Sequence, residues 1–255
     1  MTRMISEIKT DSREFMLDKY MPFLPLLLVF FLLDIASSVL PDMVFSTEGL
    51  YNEIARFGTG FILNVLFGLT GVGLIKASLD TLRGVPLKVG TLFFAFQNRS
   101  NRFILVQILF TAIKTALVLP LIPLNEYAVR TEMSTLKYYA FYTGIQLLAL
   151  FITMLATLRL IWANYFMLDD LSLDAGPALK KSLAFSKGKT LQILYMKLSF
   201  AGLYILSYCS LMVGFLYVRP YAEVTYANYY LSRKKSIISQ PLLILQPLFA
   251  ASRSL

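Results

Sequence analysis

Residues 21–40 have the sequence MPFLPLLLVFFLLDIASSVL, in which Asp34 is the single charged residue. A helix needs about 20 mainly apolar residues to cross the hydrocarbon core of a bilayer. Comparable apolar runs occupy residues 57–79, 103–123 and 139–162. The pattern therefore predicts an all-α, polytopic membrane protein.

The overall composition also indicates a membrane protein. Hydrophobic residues make up 57% of the 255-residue chain and charged residues only 15%, whereas ordinary globular chains carry about 25% charged residues. The net charge is +9, an excess typical of basic cytoplasmic loops, so we expect no nucleic-acid partner. The chain has no histidine and one cysteine, which excludes an intrachain disulfide and a Cys/His zinc site. We predict no metal and no cofactor.

The last apolar stretch, residues 190–231, is too long for one span and long enough for two. Lys and Arg concentrate in cytoplasmic segments near span ends. With a cytoplasmic N-terminus, a single last span would leave Arg233, Lys234 and Lys235 outside. Two spans, at about 190–207 and 210–231, return them to the cytoplasm.

Charge placement therefore predicts six spans with both termini in the cytoplasm. An amphipathic leader, residues 1–20, precedes the membrane domain of residues 21–231. A basic cytoplasmic tail, residues 232–255, follows it.

Two predicted cytoplasmic segments share a pattern. Residues 79–82, Leu-Asp-Thr-Leu, are matched 89 positions later by residues 168–171, Leu-Asp-Asp-Leu. Each motif precedes an amphipathic segment, a basic turn and a new span. This order predicts two cytoplasmic surface helices in the headgroup layer and a parallel internal repeat. The alternatives are plain connecting helices and a chance similarity.

A known family shares several of these motifs. Residues 165–170, Tyr-Phe-Met-Leu-Asp-Asp, and the basic turn Lys187-Gly188-Lys189 resemble the bacterial integral-membrane family called domain of unknown function 975. Residues 214–221, Gly-Phe-Leu-Tyr-Val-Arg-Pro-Tyr, resemble its final span. The polar loop at residues 124–137 departs from the family pattern. The resemblance implies a six-helix protein of the cytoplasmic membrane in Gram-positive-type bacteria, and it implies no reaction.

Five ionisable residues inside the predicted spans are candidate functional residues, because charge is costly within a bilayer. Asp34, Lys114 and Arg219 lie at similar predicted depth in the membrane. Glu223 lies one turn further in, near the depth of Lys197. One hypothesis is a net positive cavity for an anionic guest such as a phospholipid headgroup, a lipid-linked phosphate or a peptide carboxylate. The alternative is that Asp34–Lys114 and Arg219–Glu223 are pairs that only fix helix packing.

Proline and glycine mark further positions in the spans. Pro220 cannot donate a backbone hydrogen bond, so it predicts a kink beside Arg219. Span two is rich in glycine, and Gly60, Gly68 and Gly71 allow a close approach of helices within one chain or between chains.

An acidic group follows the fourth predicted span. Its members are Asp169, Asp170 and Asp174. They could bind a divalent cation through oxygen ligands, although pairing with Lys180 and Lys181 or exposure to water is the favoured interpretation.

No nucleophile–base pair can be recognised, and general-base chemistry most often uses histidine, which the chain lacks. We therefore expect no enzyme activity. The predicted function is that of an accessory, envelope-stress or immunity-type membrane component that binds a partner complex or lipid. The alternative is a small transporter or lipid-handling protein with a cationic intramembrane cavity. The expected partners are anionic membrane lipid and either another membrane protein or a second copy of the chain.

Overall fold

A computed structural model describes residues 2–45, 49–118, 135–210 and 213–251, and these residues form helices and no strand. The prediction of an all-α chain is confirmed. The predicted end of span three at residues 119–123 and most of the polar loop after it lie outside the described residues.

The described residues contain eleven α-helices and one 3-10 turn. The N-terminal part has α1 (Thr2–Leu17), α2 (Tyr20–Val44), α3 (Leu50–Leu82), a 3-10 turn (Val89–Phe93), α4 (Phe94–Gln97) and α5 (Ser100–Val118). The C-terminal part has α6 (Thr135–Thr157), α7 (Trp162–Asp169), α8 (Ala175–Ser186), α9 (Thr190–Leu198), α10 (Ala201–Cys209) and α11 (Phe215–Ala251).

Four helical stretches are long and apolar enough to cross a membrane, which identifies the chain as a membrane protein by helix length and composition. They are α2, most of α3, most of α6 and the α9–α10 stretch from Thr190 to Cys209. Helix α11 is less apolar because tyrosines and the charged Arg219 and Glu223 interrupt it. It also continues into the predicted tail, as far as Ala251.

Helix α1 is held in the fold by one buried face. Ile5, Ile8, Ser12 and Met16 of that face are buried, at spacings of three and four residues. This is the periodicity of an amphipathic helix. The opposite face of α1 carries most of its charges, so the leader packs on the helices and also presents a charged surface.

An aromatic core joins α7, α8 and α11. Trp162 contacts Tyr165, Phe185, Tyr229 and Tyr230, with ring centroids 5.3–6.3 Å apart. Aromatic pairs at such separations add about 0.5–1.5 kcal/mol each to the stabilisation from burial. This core positions the end of α7, where the acidic motif of residues 168–171 begins.

The two predicted surface segments end with the same backbone conformation. The first comprises the 3-10 turn and α4, and the second is α8. Each is followed by a residue with positive φ, Arg99 at 46° and Gly188 at 72°. These residues are 89 positions apart, the spacing of the two Leu-Asp motifs. The left-handed conformation suits glycine and is strained for arginine.

Replacing Arg99 with glycine is expected to stabilise the protein by up to about 1 kcal/mol, because the relief of left-handed strain exceeds the entropy that glycine adds to the unfolded chain. Arg99 is exposed and has no ion pair among the described residues. Thermal unfolding in detergent micelles measures the change.

The reciprocal control is Gly188→Ala, which is expected to destabilise by about 1–2 kcal/mol. No described atom lies within 4 Å of the position of its added Cβ, so the effect is conformational rather than steric. Equal Tm values for Arg99→Gly and the parent chain would contradict the strain at residue 99.

Candidate functional site

The predicted pair on α11 is present. Arg219 Nη2 lies 3.2 Å from Glu223 Oε1, and Glu223 is buried with 8% of its surface exposed. Residues four apart face the same side of a helix, so one element positions both charges. Lys197 of α9 lies close enough to interact electrostatically with both. Three of the five candidate residues therefore form one cluster.

Aromatic side chains surround this α11 cluster. The guanidinium of Arg219 lies 5.5 Å from the ring centroid of Phe30 on α2. Tyr204 of α10 lies close enough to Arg219 to interact with it electrostatically. The Nε of Arg219 is buried and has no hydrogen-bond partner among the described residues. The cluster thus holds α2, α9, α10 and α11 together around a largely compensated charge pair.

Lys114 occupies a different place. It lines a cavity of about 530 Å³ between α2, α3, α5 and α6. None of the other four candidate residues lines that cavity. Within the described part of the chain, no ion pair joins Asp34 to Lys114. Asp34 is exposed, and it is near enough to Arg219 to interact electrostatically. The structure therefore separates the set that the sequence placed in one cavity.

Most of the residues that line the Lys114 cavity have polar or charged side chains. Its lining comprises Ser37, Ser38, Pro41, Asp42, Arg56, Phe57, Gly60, Phe61, Asn64, Thr111, Lys114, Thr115 and Tyr142. Arg56 Nη1 lies 3.8 Å from Asp42 Oδ1, and both side chains are exposed. Two cations and one carboxylate leave the cavity with a net positive charge. Its hydroxyl and amide groups can supplement charge recognition with hydrogen bonds.

Pro220 lies within the continuous helix α11. Because proline has no N–H, the carbonyl of Leu216 lacks its usual helical donor. The hydroxyl of Tyr20, on the first turn of α2, donates to Leu216 O at 3.0 Å and also contacts Tyr217 O. The structure thus supplies a tertiary partner for the carbonyl, a contact that sequence reasoning missed. The kink at Pro220 stays a prediction.

The glycines of α3 differ in what surrounds them. A Cβ added at Gly60 would lie 3.8 Å from Pro41. A Cβ added at Gly68 would lie 2.8 Å from Oε1 of Gln107, the end of a flexible side chain. A Cβ added at Gly71 would meet no described atom within 4 Å outside its own helix backbone, so the structure gives no support for the predicted packing role of Gly71. Gly73 is the position of closest backbone approach. There the Cβ would lie 2.1 Å from the carbonyl oxygen of Leu92.

Asp169 is the centre of a second charge cluster, at the end of α7. Its carboxylate accepts hydrogen bonds from Arg83 Nη2, from Tyr230 Oη at 2.7 Å and from Lys234 Nζ at 2.6 Å. Only 6% of the Asp169 side chain is exposed. Its partners are therefore Arg83 and Lys234 rather than the predicted Lys180 and Lys181.

The three donors control the ionisation of Asp169. Burial raises the pKa of the carboxyl, but the hydrogen bonds from Lys234, Tyr230 and Arg83 outweigh it and hold the pKa below its ordinary value. The carboxylate is thus ionised and its oxygens are occupied. Among the residues that the structure describes, no group of three His, Cys, Asp or Glu side chains is arranged to hold a metal ion.

Comparison with known proteins gives a family but no characterised relative. No curated protein and no solved structure matches the chain. The family model described as "Protein of unknown function (DUF975)" matches residues 1–236. Because that match covers nearly the whole chain, the protein belongs to the family of domain of unknown function 975.

Proposed function

We propose that this protein is a non-catalytic integral membrane protein that binds the anionic headgroup of a membrane lipid in the Lys114 cavity. The observation that carries the proposal is the cavity of about 530 Å³ between α2, α3, α5 and α6, whose lining includes Lys114 and several hydroxyl groups. Ligand pockets commonly have volumes of about 300–1,000 Å³. Lys114 has no ion pair among the described residues, so its charge is available to a phosphate.

The membrane topology that we propose for this function has six spans: α2, α3, α5, α6, the α9–α10 stretch and α11. The distribution of Lys and Arg supports a location in the bacterial cytoplasmic membrane with both termini in the cytoplasm. In that orientation, the cavity lies toward the outer leaflet, because the end of α2 and the start of α3 line it. The paired conformations of Arg99 and Gly188 favour the parallel repeat.

A second candidate function is an accessory subunit of a membrane complex, and α6 favours it. Only 6% of the apolar window of α6 is buried within the chain. Gln146 lies on its exposed surface and could form a hydrogen bond across a helix interface. Purification with a stoichiometric membrane-protein partner, or as a homo-oligomer, would favour this function.

A transporter remains the less favoured alternative, because the Lys114 cavity does not include Arg219, Lys197 or Glu223.

Replacing Lys114 with glutamine is expected to weaken retention of phosphatidylglycerol by about 10-fold, because a hydrogen bond to a charged group contributes about 1.5–3 kcal/mol. Native mass spectrometry of the full chain, released from micelles containing phosphatidylglycerol or phosphatidylcholine, measures the retained lipid. Lys114→Arg keeps the charge and should retain most of the binding.

Lys137→Gln is the matched control, because it removes one positive charge from α6 at an exposed position outside the cavity lining. It should bind phosphatidylglycerol like the parent chain. Equal retention by Lys114→Gln and Lys137→Gln would refute the proposed site. Loss of protein abundance in Lys114→Gln alone would point to a packing role instead.

A further inference from the structure

Helix α1 is fixed against the last helices by polar contacts at three points. Lys9 Nζ donates to Ser199 Oγ at 3.1 Å and lies 3.3 Å from Ser199 O. Tyr221 Oη donates to the carbonyl of Lys9 at 3.1 Å, and Asn228 Nδ2 donates to Ser12 Oγ at 3.2 Å. With the buried apolar face of α1, these contacts form a defined interface with α9 and α11.

A second cavity, of about 270 Å³, lies in this interface. Its lining consists of Ile5, Ser6, Lys9, Thr10, Arg13, Tyr195, Ser199 and Tyr221. Lys9 and Arg13 are four residues apart and so share one face of α1. The lining has two cations, five hydroxyl groups and no carboxylate. Its charge is therefore not compensated within the cavity.

The donors in this cavity differ in whether they are already engaged. The hydroxyls of Thr10, Ser199 and Tyr221 donate to backbone carbonyls. Two other donors are available to a ligand. The hydroxyl of Tyr195 has no hydrogen bond within the described part of the chain, and Arg13 is exposed there without an ion pair. Burial lowers the pKa of Lys9, and a bound anion would offset this loss of hydration.

We propose that the cavity between α1, α9 and α11 binds a phosphate group, held by Lys9 and Arg13 with the hydroxyl of Tyr195. Planar guanidinium groups match phosphate oxygens, and lysine adds a point charge. The phosphate belongs either to the headgroup of an anionic membrane lipid, which Lys and Arg at a membrane surface attract, or to a soluble phosphate. This site is separate from the Lys114 cavity, with which it shares no lining residue.

The test uses the full chain in nanodiscs and follows thermal unfolding by the fluorescence of its single tryptophan, Trp162. One arm compares phosphatidylcholine nanodiscs with nanodiscs that also contain phosphatidylglycerol. The other arm adds inorganic phosphate to phosphatidylcholine nanodiscs, with chloride at equal ionic strength as reference. A ligand that binds the folded state raises the Tm. A rise in the first arm assigns a lipid headgroup, and a rise in the second assigns free phosphate.

Arg13→Gln is expected to remove the part of the rise that this cavity contributes, while Arg13→Lys retains some of that part. Arg13 is exposed, so its replacement leaves the fold intact, whereas Lys9 also holds α1 to Ser199. The double variant Lys180→Gln/Lys181→Gln removes two exposed charges from α8 and should keep the full rise. The Arg13 effect should also persist in a Lys114→Gln background, which separates this site from the proposed function. A parent chain with no rise in either arm, or an Arg13→Gln variant with the full rise, would overturn the proposal.

Discussion

Asp169→Asn is expected to destabilise the folded protein by about 2–3 kcal/mol and to produce the largest loss among single charge substitutions. Removing one partner of a buried ion pair costs about 3–5 kcal/mol. The expected value is lower here because the partners Arg83 and Lys234 are each 40% exposed, so water solvates their released charges. Denaturant or thermal unfolding followed by Trp162 fluorescence measures the loss, since Trp162 belongs to the aromatic core that includes Tyr230.

Asp170→Asn is the matched control for this substitution. The adjacent carboxylate is exposed and accepts hydrogen bonds from the backbone and hydroxyl of Ser172. Its replacement should leave the Tm close to that of the parent chain. Similar Tm losses in the two variants would show that the contacts of Asp169 with α3 and α11 do not stabilise the fold.

The Asp169 cluster also predicts a pH dependence. Its folded pKa is held below the ordinary value of 3.8, so its contribution is fully present above the unfolded-state pKa. The contribution declines as the pH falls from about 4 through the lowered folded-state pKa. In Asp169→Asn this component of acid destabilisation should be absent, and the difference in stability between variant and parent should shrink below pH 4. A difference that stays constant down to pH 2 would contradict the linkage.

Gly73→Ala is expected to destabilise the protein by about 3 kcal/mol, at the upper end of the cost of overpacking a well-packed core. The new methyl would lie 2.1 Å from the carbonyl oxygen and 2.5 Å from the carbonyl carbon of Leu92. Backbone atoms of the 3-10 turn cannot rotate away as a side chain can, so α3 and the turn must separate. Thermal unfolding in micelles measures this loss.

Gly71→Ala provides the control on the same helix, two residues away. No described atom lies within 4 Å of its added Cβ, and alanine is the better helix former by about 1 kcal/mol. The variant should be as stable as the parent or more stable. If Gly71→Ala were instead the more damaging change, residue 71 would have to contact another molecule, as in a homo-oligomer.

The features that local pattern determines could be predicted from the sequence. Apolar runs predicted the helical class, and the four-residue spacing of Arg219 and Glu223 predicted their pairing. Pairings between distant segments could not be predicted in this way. Asp169 meets Arg83 and Lys234 across separations of 86 and 65 residues. The rotation of each helix about its axis decides such contacts, and the apolar surface of a membrane helix constrains that rotation weakly.

The same limitation explains the division of the candidate cavity. Predicted depth placed Asp34 and Lys114 at one level, but depth does not specify which side of a helix a residue occupies. Lys114 faces the cavity beside α6, whereas Asp34 lies toward Arg219. Among the glycines, composition marked α3 as a packing helix. It could not distinguish Gly73 from Gly71, because the difference depends on the position of Leu92 in a separate segment.

The contact between Tyr20 and the carbonyl of Leu216 joins two segments that a ribosome produces nearly 200 residues apart. Helix α2 therefore enters the bilayer long before the acceptor for its hydroxyl exists. A carbonyl deprived of its donor by proline is costly to bury without a partner, and α11 gains this hydrogen bond only by docking against α2. Completion of the chain is thereby coupled to assembly, because a nascent protein that stops before α11 lacks the acceptor for the Tyr20 hydroxyl.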